Sequence, residues 1–120
     1  MANYVDGYVL PVPTKKLTAY RRIAQAASKI WREHGALEYI ESIADDVKPG
    51  KQTSFPQSVK LKRGETVIFA WVIYKSRKHR DSVNAKVMKD PRLAYMMNPK
   101  SLPFDSMRMF WGGFKMMIKL

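Results

Sequence analysis

The stretch TVIFAWVIY, residues 66–74, decides the fold of this 120-residue chain. It is short, nearly uncharged and rich in β-branched and aromatic residues, a composition typical of a strand. Alternate residues of a strand point to opposite faces of a sheet, and here both sets are apolar, so we expect both faces to be buried. Helices can cover one face. A second sheet from another subunit is the simplest cover for the other, which predicts a homodimer.

The first third of the chain predicts a strand followed by a long helix. Residues 4–12 alternate and end at two prolines, a pattern typical of a strand. Residues 15–34 carry an apolar stripe at helical spacing. Thr14 is the expected N-cap of this helix, and Gly35 is the expected residue at which it ends.

The middle of the chain predicts one more strand, a long connection and a second helix. Residues 37–44 alternate as a strand, whereas residues 45–64 are polar and basic. Within that connection the pattern fits either a short helix or an irregular loop. Ser76 is the expected N-cap of a helix to about residue 89, and Asp90-Pro91 is expected to break it and open a further turn.

The last strand is predicted over residues 107–118, where Gly112-Gly113 indicates a bulge or the close approach of another group. The resulting order, βαββαβ, predicts a ferredoxin-like α+β fold with a four-stranded antiparallel sheet and both helices on one face. A chain of this length has room for one hydrophobic core, so residues 1–120 are predicted to form a single domain.

Several classes of protein are excluded or disfavoured by composition. There is no cysteine, which excludes disulfides, thiolate metal sites and cysteine nucleophiles. The N-terminus lacks the pattern of a signal peptide, and no apolar run is long enough to span a membrane, so we expect a soluble cytoplasmic protein with no membrane partner. His34 and His79 lack ligands at metal-binding spacing, and no nucleotide or catalytic motif is present; we therefore predict neither metal nor cofactor.

The net charge of +12 is concentrated in residues 48–92, which carry twelve basic and three acidic side chains. Solubility is the commoner reason for such an excess, but a polyanion site, including one for nucleic acid, is the alternative hypothesis. The candidate residues of that site are Lys60, Lys62, Arg63, Lys75, Arg77, Lys78 and Arg80. They flank the strand over residues 66–74, so the two groups are expected to lie roughly 30 Å apart in one subunit.

Asp6 is the most informative polar residue because it interrupts an apolar strand, where a carboxylate must be paired or exposed. Arg108 is its predicted partner, since the first and last strands are neighbours in this fold. The pair then either lines a ligand pocket or forms a structural ion pair at the dimer interface. The predicted walls of the pocket are Tyr4, Tyr8, Tyr39 and Trp71.

Several short motifs, in this order and at these separations, resemble those of the bacterial YbaA-like proteins, a family of unknown function. They are Tyr4-Val5-Asp6-Gly7, Gly35-Ala36-Leu37, Asp90-Pro91-Arg92, Pro103-Phe104-Asp105, Arg108-Met109 and Gly112-Gly113-Phe114. The resemblance covers nearly the whole chain. It implies the dimeric α+β barrel, in which two ferredoxin-like sheets pack face to face, and it supplies no activity.

Relatives within the wider superfamily include cofactor-independent monooxygenases, haem-degrading enzymes and small-molecule isomerases, an analogy at the level of the fold alone. Whether the chain is an enzyme is left open. The favoured hypothesis is a homodimer that holds a small, partly apolar molecule between helices and sheet. Binding of nucleic acid or another polyanion through residues 60–92 is the alternative.

Overall fold

Four antiparallel strands form one sheet in the order β2-β3-β1-β4. The computed structural model describes residues 2–120. The strands are β1 (Tyr4–Pro13), β2 (Glu38–Ile43), β3 (Glu65–Tyr74) and β4 (Phe110–Lys115). Each neighbouring pair is antiparallel. This arrangement confirms the predicted α+β class and the ferredoxin-like order of elements.

Three helices pack on one side of the sheet and a fourth lies in the long connection. They are α1 (Leu17–Glu33), α3 (Arg77–Met88) and α4 (Pro91–Met96), with the single turn α2 (Phe55–Ser58) in the connection. The short-helix alternative for that connection is therefore the one observed. Within residues 2–120, none of the helices combines the length and apolarity needed to cross a bilayer.

The register of the sheet separates two faces. Tyr8 lies opposite Ala70 on β3 and Trp111 on β4, and this set points toward the helices. We call this side the helix face. Val9 lies opposite Phe69 and shares the other side, which we call the open face. The largest core cluster lies on the helix face and contains Tyr4, Ile30, Ala36, Val72, Tyr74, Val83, Val87 and Leu93.

Local signals place most helix ends where they were predicted. Gly35 has a φ of +117°, a left-handed conformation that favours glycine and ends α1. The N–H groups of Gly35 and Ala36 donate to the carbonyls of Arg32 and Trp31, a Schellman motif. The Ser76 side chain accepts a hydrogen bond from the backbone N–H of His79, which caps α3 as predicted.

Thr14 does not cap α1, and this prediction was wrong. A 3₁₀ turn at Thr14–Lys16 precedes the helix, and no side-chain cap hydrogen bond is formed at either start. Both the Thr14 N–H and its hydroxyl donate to the carbonyl of Gly64 instead. The side chain therefore ties the end of β1 to the turn before β3, a long-range contact that no local pattern contains.

The final strand is shorter than predicted. A 3₁₀ turn at Ser106–Arg108, capped by the Asp105 side chain, delays the start of β4 to Phe110. Pairing with β1 then runs continuously to Lys115, so the glycines do not form a bulge. A Cβ atom at Gly113 would lie 2.3 Å from the Tyr4 hydroxyl, so glycine allows the Tyr4 side chain to pack against the strand.

The open face is only partly covered within the chain. Val59 and Leu61 of the connection pack on Val9 and Val67 and form a small second core at one end. The rest of the face remains accessible, and Phe69 is 43% exposed. The expectation that both faces of β3 are buried therefore holds for the helix face and for one end of the open face.

Candidate functional site

A cavity of about 500 Å³ lies between the helices and the helix face of the sheet. Its floor is formed by Leu10, Ala70 and Val72, all of them buried. Side chains of α1, α3 and α4 form its roof, and Phe104 and Met109 also line it. A mostly apolar cavity of this volume suits a small organic molecule.

The mouth of the cavity is marked by lining residues that are also exposed. Met88, Met97 and Trp111 have 63%, 37% and 52% of their surfaces accessible. Trp111 stacks on Tyr8 with the ring centroids 5.8 Å apart. Methionine side chains are flexible, so the side of the opening that they form can adapt to the shape of a ligand.

A carboxylate, Glu41, lies in the lining of the cavity and is held by two tyrosines. Tyr39 lies two residues before Glu41 on β2, so both side chains point to the helix face. The Tyr39 hydroxyl donates a hydrogen bond to Glu41 Oε2 at 2.7 Å, and the Tyr20 hydroxyl, from α1, donates to Glu41 Oε1. Burial, and then the Glu41 charge, raises the pKa of both tyrosines. They therefore stay protonated at neutral pH and keep donating to the carboxylate.

A second carboxylate, Asp6, lies on the helix face of β1 and is 0% exposed. Arg80 of α3 places Nη1 3.2 Å from Asp6 Oδ1, and its Nη2 donates to the Tyr4 hydroxyl at 3.2 Å. The guanidinium also lies over the rings of Tyr4 and Trp111. Burial raises the pKa of Asp6, and the positive charge of Arg80 opposes that rise.

Asn84, on α3, holds two aromatic side chains between the helices and the sheet. Its Oδ1 accepts hydrogen bonds from Trp31 Nε1 at 3.2 Å and from the Tyr74 hydroxyl at 3.1 Å. Asn84 and Trp31 both line the cavity. The amide thereby fixes the indole ring of Trp31 in the roof and satisfies two buried donors.

The sequence model of a family described as "Protein of unknown function (DUF1428)" matches residues 3–106. The chain belongs to the DUF1428 family. It is 44% identical over 116 residues to "Uncharacterized protein YbaA" of Escherichia coli K12, with 97% of each chain covered. The protein of the same name from Shigella flexneri matches with the same figures. The resemblance to YbaA-like proteins is thus confirmed.

A solved structure shares the fold of this DUF1428 protein. It is a NIPSNAP family protein of unknown function from Agrobacterium tumefaciens, with a TM-score of 0.57 and 12% sequence identity. The match covers 94% of this chain and 86% of the other. At this identity the likeness establishes the fold and carries no activity.

The predicted pocket residues of the DUF1428 chain separate into two groups. Tyr8 and Tyr39 line the cavity, and Asp6 lies beside it, opposite Val72 of the floor. Trp71 is on the open face, opposite Gly7, and cannot form a wall of this cavity. Its predicted role in the pocket was wrong because one step along a strand reverses the direction of the side chain.

The predicted Asp6–Arg108 pair was also wrong. Arg108 lies in the 3₁₀ turn before β4 and binds Glu65 through two hydrogen bonds of 2.7 and 2.6 Å. It also donates to Asp105 and to the carbonyl of Lys60. Hydrogen bonds from Arg108, reinforced by its positive charge, lower the pKa of both Glu65 and Asp105. Arg108 therefore fastens the connection and the turn before β4 to the start of β3, away from Asp6.

Arg80 was predicted as part of the polyanion site, but it is the partner of Asp6. Its side chain is only 11% exposed and is directed toward Asp6. The six other candidate cations are exposed. Lys60, Lys62 and Arg63 precede β3, whereas Lys75, Arg77 and Lys78 follow it, so the two groups stay at opposite ends of a ten-residue strand.

Three residues of the cavity were not predicted as site residues from the sequence: Glu41, Tyr20 and Asn84. A charged residue two positions after an aromatic on an amphipathic strand was a detectable signal for Glu41. Tyr20 lay within the apolar stripe of α1, and Asn84 within a mostly polar helix, so neither had a local signal. Their importance depends on contacts across the cavity.

Both histidines hydrogen-bond to other groups of the chain. His34 Nε2, at the end of α1, lies 2.9 Å from Oδ2 of Asp90, which precedes α4. His79 Nδ1 accepts from the backbone N–H of Lys75. Over residues 2–120, histidine and carboxylate side chains do not assemble into a group of three or more that could hold a metal ion.

Proposed function

We propose that this protein binds a small, mostly apolar organic molecule in the cavity beneath its helices. The observation that supports this proposal is the cavity of about 500 Å³ itself. Its walls are apolar and aromatic side chains, and it contains one carboxylate that two tyrosines hold by hydrogen bonds. A few fixed polar groups in an apolar cavity orient a ligand, while the apolar walls supply the larger part of its affinity.

Titration with the neutral fluorophore N-phenyl-1-naphthylamine tests this proposal. We expect saturable binding with enhanced fluorescence in the unmodified protein. Ala24→Phe fills the cavity from α1 and should abolish binding, because Ala24 lies in its lining. Ala19→Phe is the matched control, since Ala19 is exposed on the same helix. No binding to the unmodified protein, or equal binding to both variants, would contradict the proposal.

We also propose that the functional unit is a homodimer joined through the open faces of two sheets. Phe55, Phe69 and Trp71 form a row of contacting aromatic rings along this face. Phe110 and Phe114 add exposed aromatic surface on β4. Monomeric proteins rarely expose so continuous an apolar surface.

The shape of the open face supports a second copy as its occupant. Gly7 and Gly112 are direct neighbours across β1 and β4, and a Cβ at Gly7 would meet nothing within 4 Å. They leave a notch beside Trp71, which lies opposite Gly7 on β3. Around a two-fold axis, the aromatic row of each subunit can pack into the notch of the other. Light scattering at micromolar concentration should give twice the mass of the chain; the mass of one chain would refute the dimer.

The polyanion alternative has weaker support because its exposed cations lie at both ends of β3, about 30 Å apart at about 3.3 Å per residue. Fluorescence anisotropy with a labelled short RNA and a DNA duplex, between about 50 and 200 mM salt, tests it. We expect weak binding at most. Micromolar affinity that falls steeply with salt would place this alternative first.

A further inference from the structure

We propose that the cavity selects an organic amine, a ligand with an ammonium group on an apolar and preferably aromatic body. This inference rests on the proposed function and names its ligand class. The chain has 22 basic and 10 acidic side chains. Yet among residues 2–120 that line the cavity, the single formal charge belongs to Glu41, and lysine, arginine and histidine contribute nothing to the lining. The cavity is thus opposite in charge to the protein that contains it.

The hydrogen-bonding capacity around Glu41 favours a ligand that brings donors. A carboxylate can accept about four hydrogen bonds, and Tyr20 and Tyr39 supply two of them. Both hydroxyls donate their only hydrogen to Glu41, so toward a ligand they can act only as hydrogen-bond acceptors. This end of the cavity therefore presents acceptors only. An ammonium group carries three N–H donors and a positive charge, which satisfies both requirements.

The aromatic walls favour a cation as well. Trp31 and Tyr39 lie with their ring centroids 5.9 Å apart, and Tyr39 is itself bonded to Glu41. Trp31 donates its N–H to Asn84, which leaves its ring face as its contribution to the cavity. Tryptophan and tyrosine rings attract a cation placed within about 6 Å of the ring centre, and more strongly when water is excluded.

Arg80 lies beside the cavity wall, and its charge does not offset that of Glu41. Arg80 lies 5.8 Å from the Trp111 ring centroid. Its guanidinium is paired with Asp6 at 3.2 Å and with Asp81 at 3.0 Å. Asp81 also lies 3.9 Å from the exposed Arg77, so the two carboxylates are shared by two guanidinium groups. The Arg80 charge is therefore engaged by carboxylates rather than offered to an anionic ligand, and Glu41 sets the sign of the preference.

A series of three probes of nearly equal shape tests the inference by calorimetry at neutral pH. They are 2-phenylethylamine, 2-phenylethanol and 3-phenylpropionate, which carry a cation, a hydroxyl and an anion. We expect the amine to bind about tenfold or more tighter than the alcohol, the ratio typical of a charged hydrogen bond, and the carboxylate to bind most weakly. Equal affinities, a preference for the anion, or no binding of the amine would overturn it.

Two glutamates of the same strand provide the matched variants. Glu41→Gln removes the charge at constant shape and should weaken binding of the amine about tenfold while leaving the alcohol within about twofold. Glu38→Gln should change neither, because Glu38 lies exposed on the open face of β2. Circular dichroism checks that both variants fold; if Glu41→Gln does not, the three-probe series with the unmodified protein still decides. An unchanged preference in folded Glu41→Gln would overturn the inference.

The naphthylamine titration separates this inference from the proposed function. If that neutral probe binds and Ala24→Phe blocks it, the cavity is a ligand site. Absence of the amine preference would then refute the amine inference and leave the ligand site standing. If the neutral probe and all three phenyl compounds fail to bind, the ligand site itself is refuted, and the amine inference falls with it.

Discussion

The two faces of one sheet differ in what covers them, although the same strands build both. On β1, Asp6, Tyr8 and Leu10 point to the helices, while Val5 and Val9 point to the open face. The helix face contains the polar groups and the cavity. The open face is almost wholly apolar and is covered only at one end. The carboxylates therefore lie under helices, where each is paired or hydrogen-bonded, whereas the aromatic rings of the open face are left accessible.

The largest expected effect is on the open face. Trp71→Glu places a charge at the centre of the proposed interface and should raise the dimer dissociation constant about a hundredfold or more, the range for a central aromatic anchor. Analytical ultracentrifugation measures it. Tyr95→Glu makes the same change on α4, where Tyr95 is 86% exposed, and should leave the mass unchanged. A dimeric Trp71→Glu protein would show that the open face is not the interface.

Substitutions at the two adjacent glycines of β4 allow a direct comparison of the two faces of the sheet. In the Trp71→Glu protein, Gly113→Ala should cost about 1–3 kcal/mol of unfolding free energy, because the new methyl group would overlap the Tyr4 side chain on the helix face. Gly112→Ala meets Phe114 at an ordinary 3.7 Å and, in the Trp71→Glu monomer, should stay within about 0.5 kcal/mol of its parent. Urea denaturation provides both values. Equal losses would show that the packing of Tyr4 does not require glycine.

Arg108→Met tests how strongly Arg108 holds the connection before β3, whose residues cover one end of the open face. Losing the charged hydrogen bonds to Glu65 should lower stability at neutral pH by about 1–3 kcal/mol. Arg108 lowers the pKa of Glu65 and Asp105, so its contribution is complete above their ordinary pKa values of 4.5 and 3.8. As pH falls below those values the contribution is lost, and the two proteins should converge.

Chemical denaturation of both proteins from neutral pH to about pH 3 measures this convergence. A difference in stability that does not change with pH would indicate that Arg108 acts through packing and its backbone contacts rather than through the two carboxylates.

The smallest effect is expected at the wall of the cavity. Tyr39→Phe removes one of two donors to Glu41 and should cost about 0.5–1.5 kcal/mol, the net value of one hydrogen bond. Tyr95→Phe is the control because that ring is exposed. Thermal denaturation compares the pair. No loss in Tyr39→Phe would mean that water replaces the hydroxyl and that the cavity near Glu41 is open to solvent.

Residues with local signals were predicted well. The apolar stripe of α1, its end at Gly35, the Ser76 cap and the break at Asp90-Pro91 each depend on a few neighbouring residues. Such signals arise from backbone geometry and periodicity, which are properties of the chain within one or two turns.

The partners of charged residues could not be predicted in the same way. Asp6 was assigned Arg108 because β1 and β4 are neighbours, yet Arg80 reaches it from α3 across the helix–sheet interface. Thr14 was assigned a cap, yet it bonds to Gly64. In each case several partners were compatible with the order of elements, and only the packed distances select one.

The sequence by itself determined the α+β order, the helix ends, the double apolar character of β3 and membership of a family without known activity. The tertiary structure alone decided that Trp71 faces away from Tyr39, that Arg80 belongs to Asp6, and that Glu41 lies within an aromatic cavity. The physical reason is the distance along the chain over which each kind of interaction acts. Backbone preferences act over a few residues, whereas cavities and ion pairs depend on where distant elements pack, and one residue of register reverses the face of a side chain.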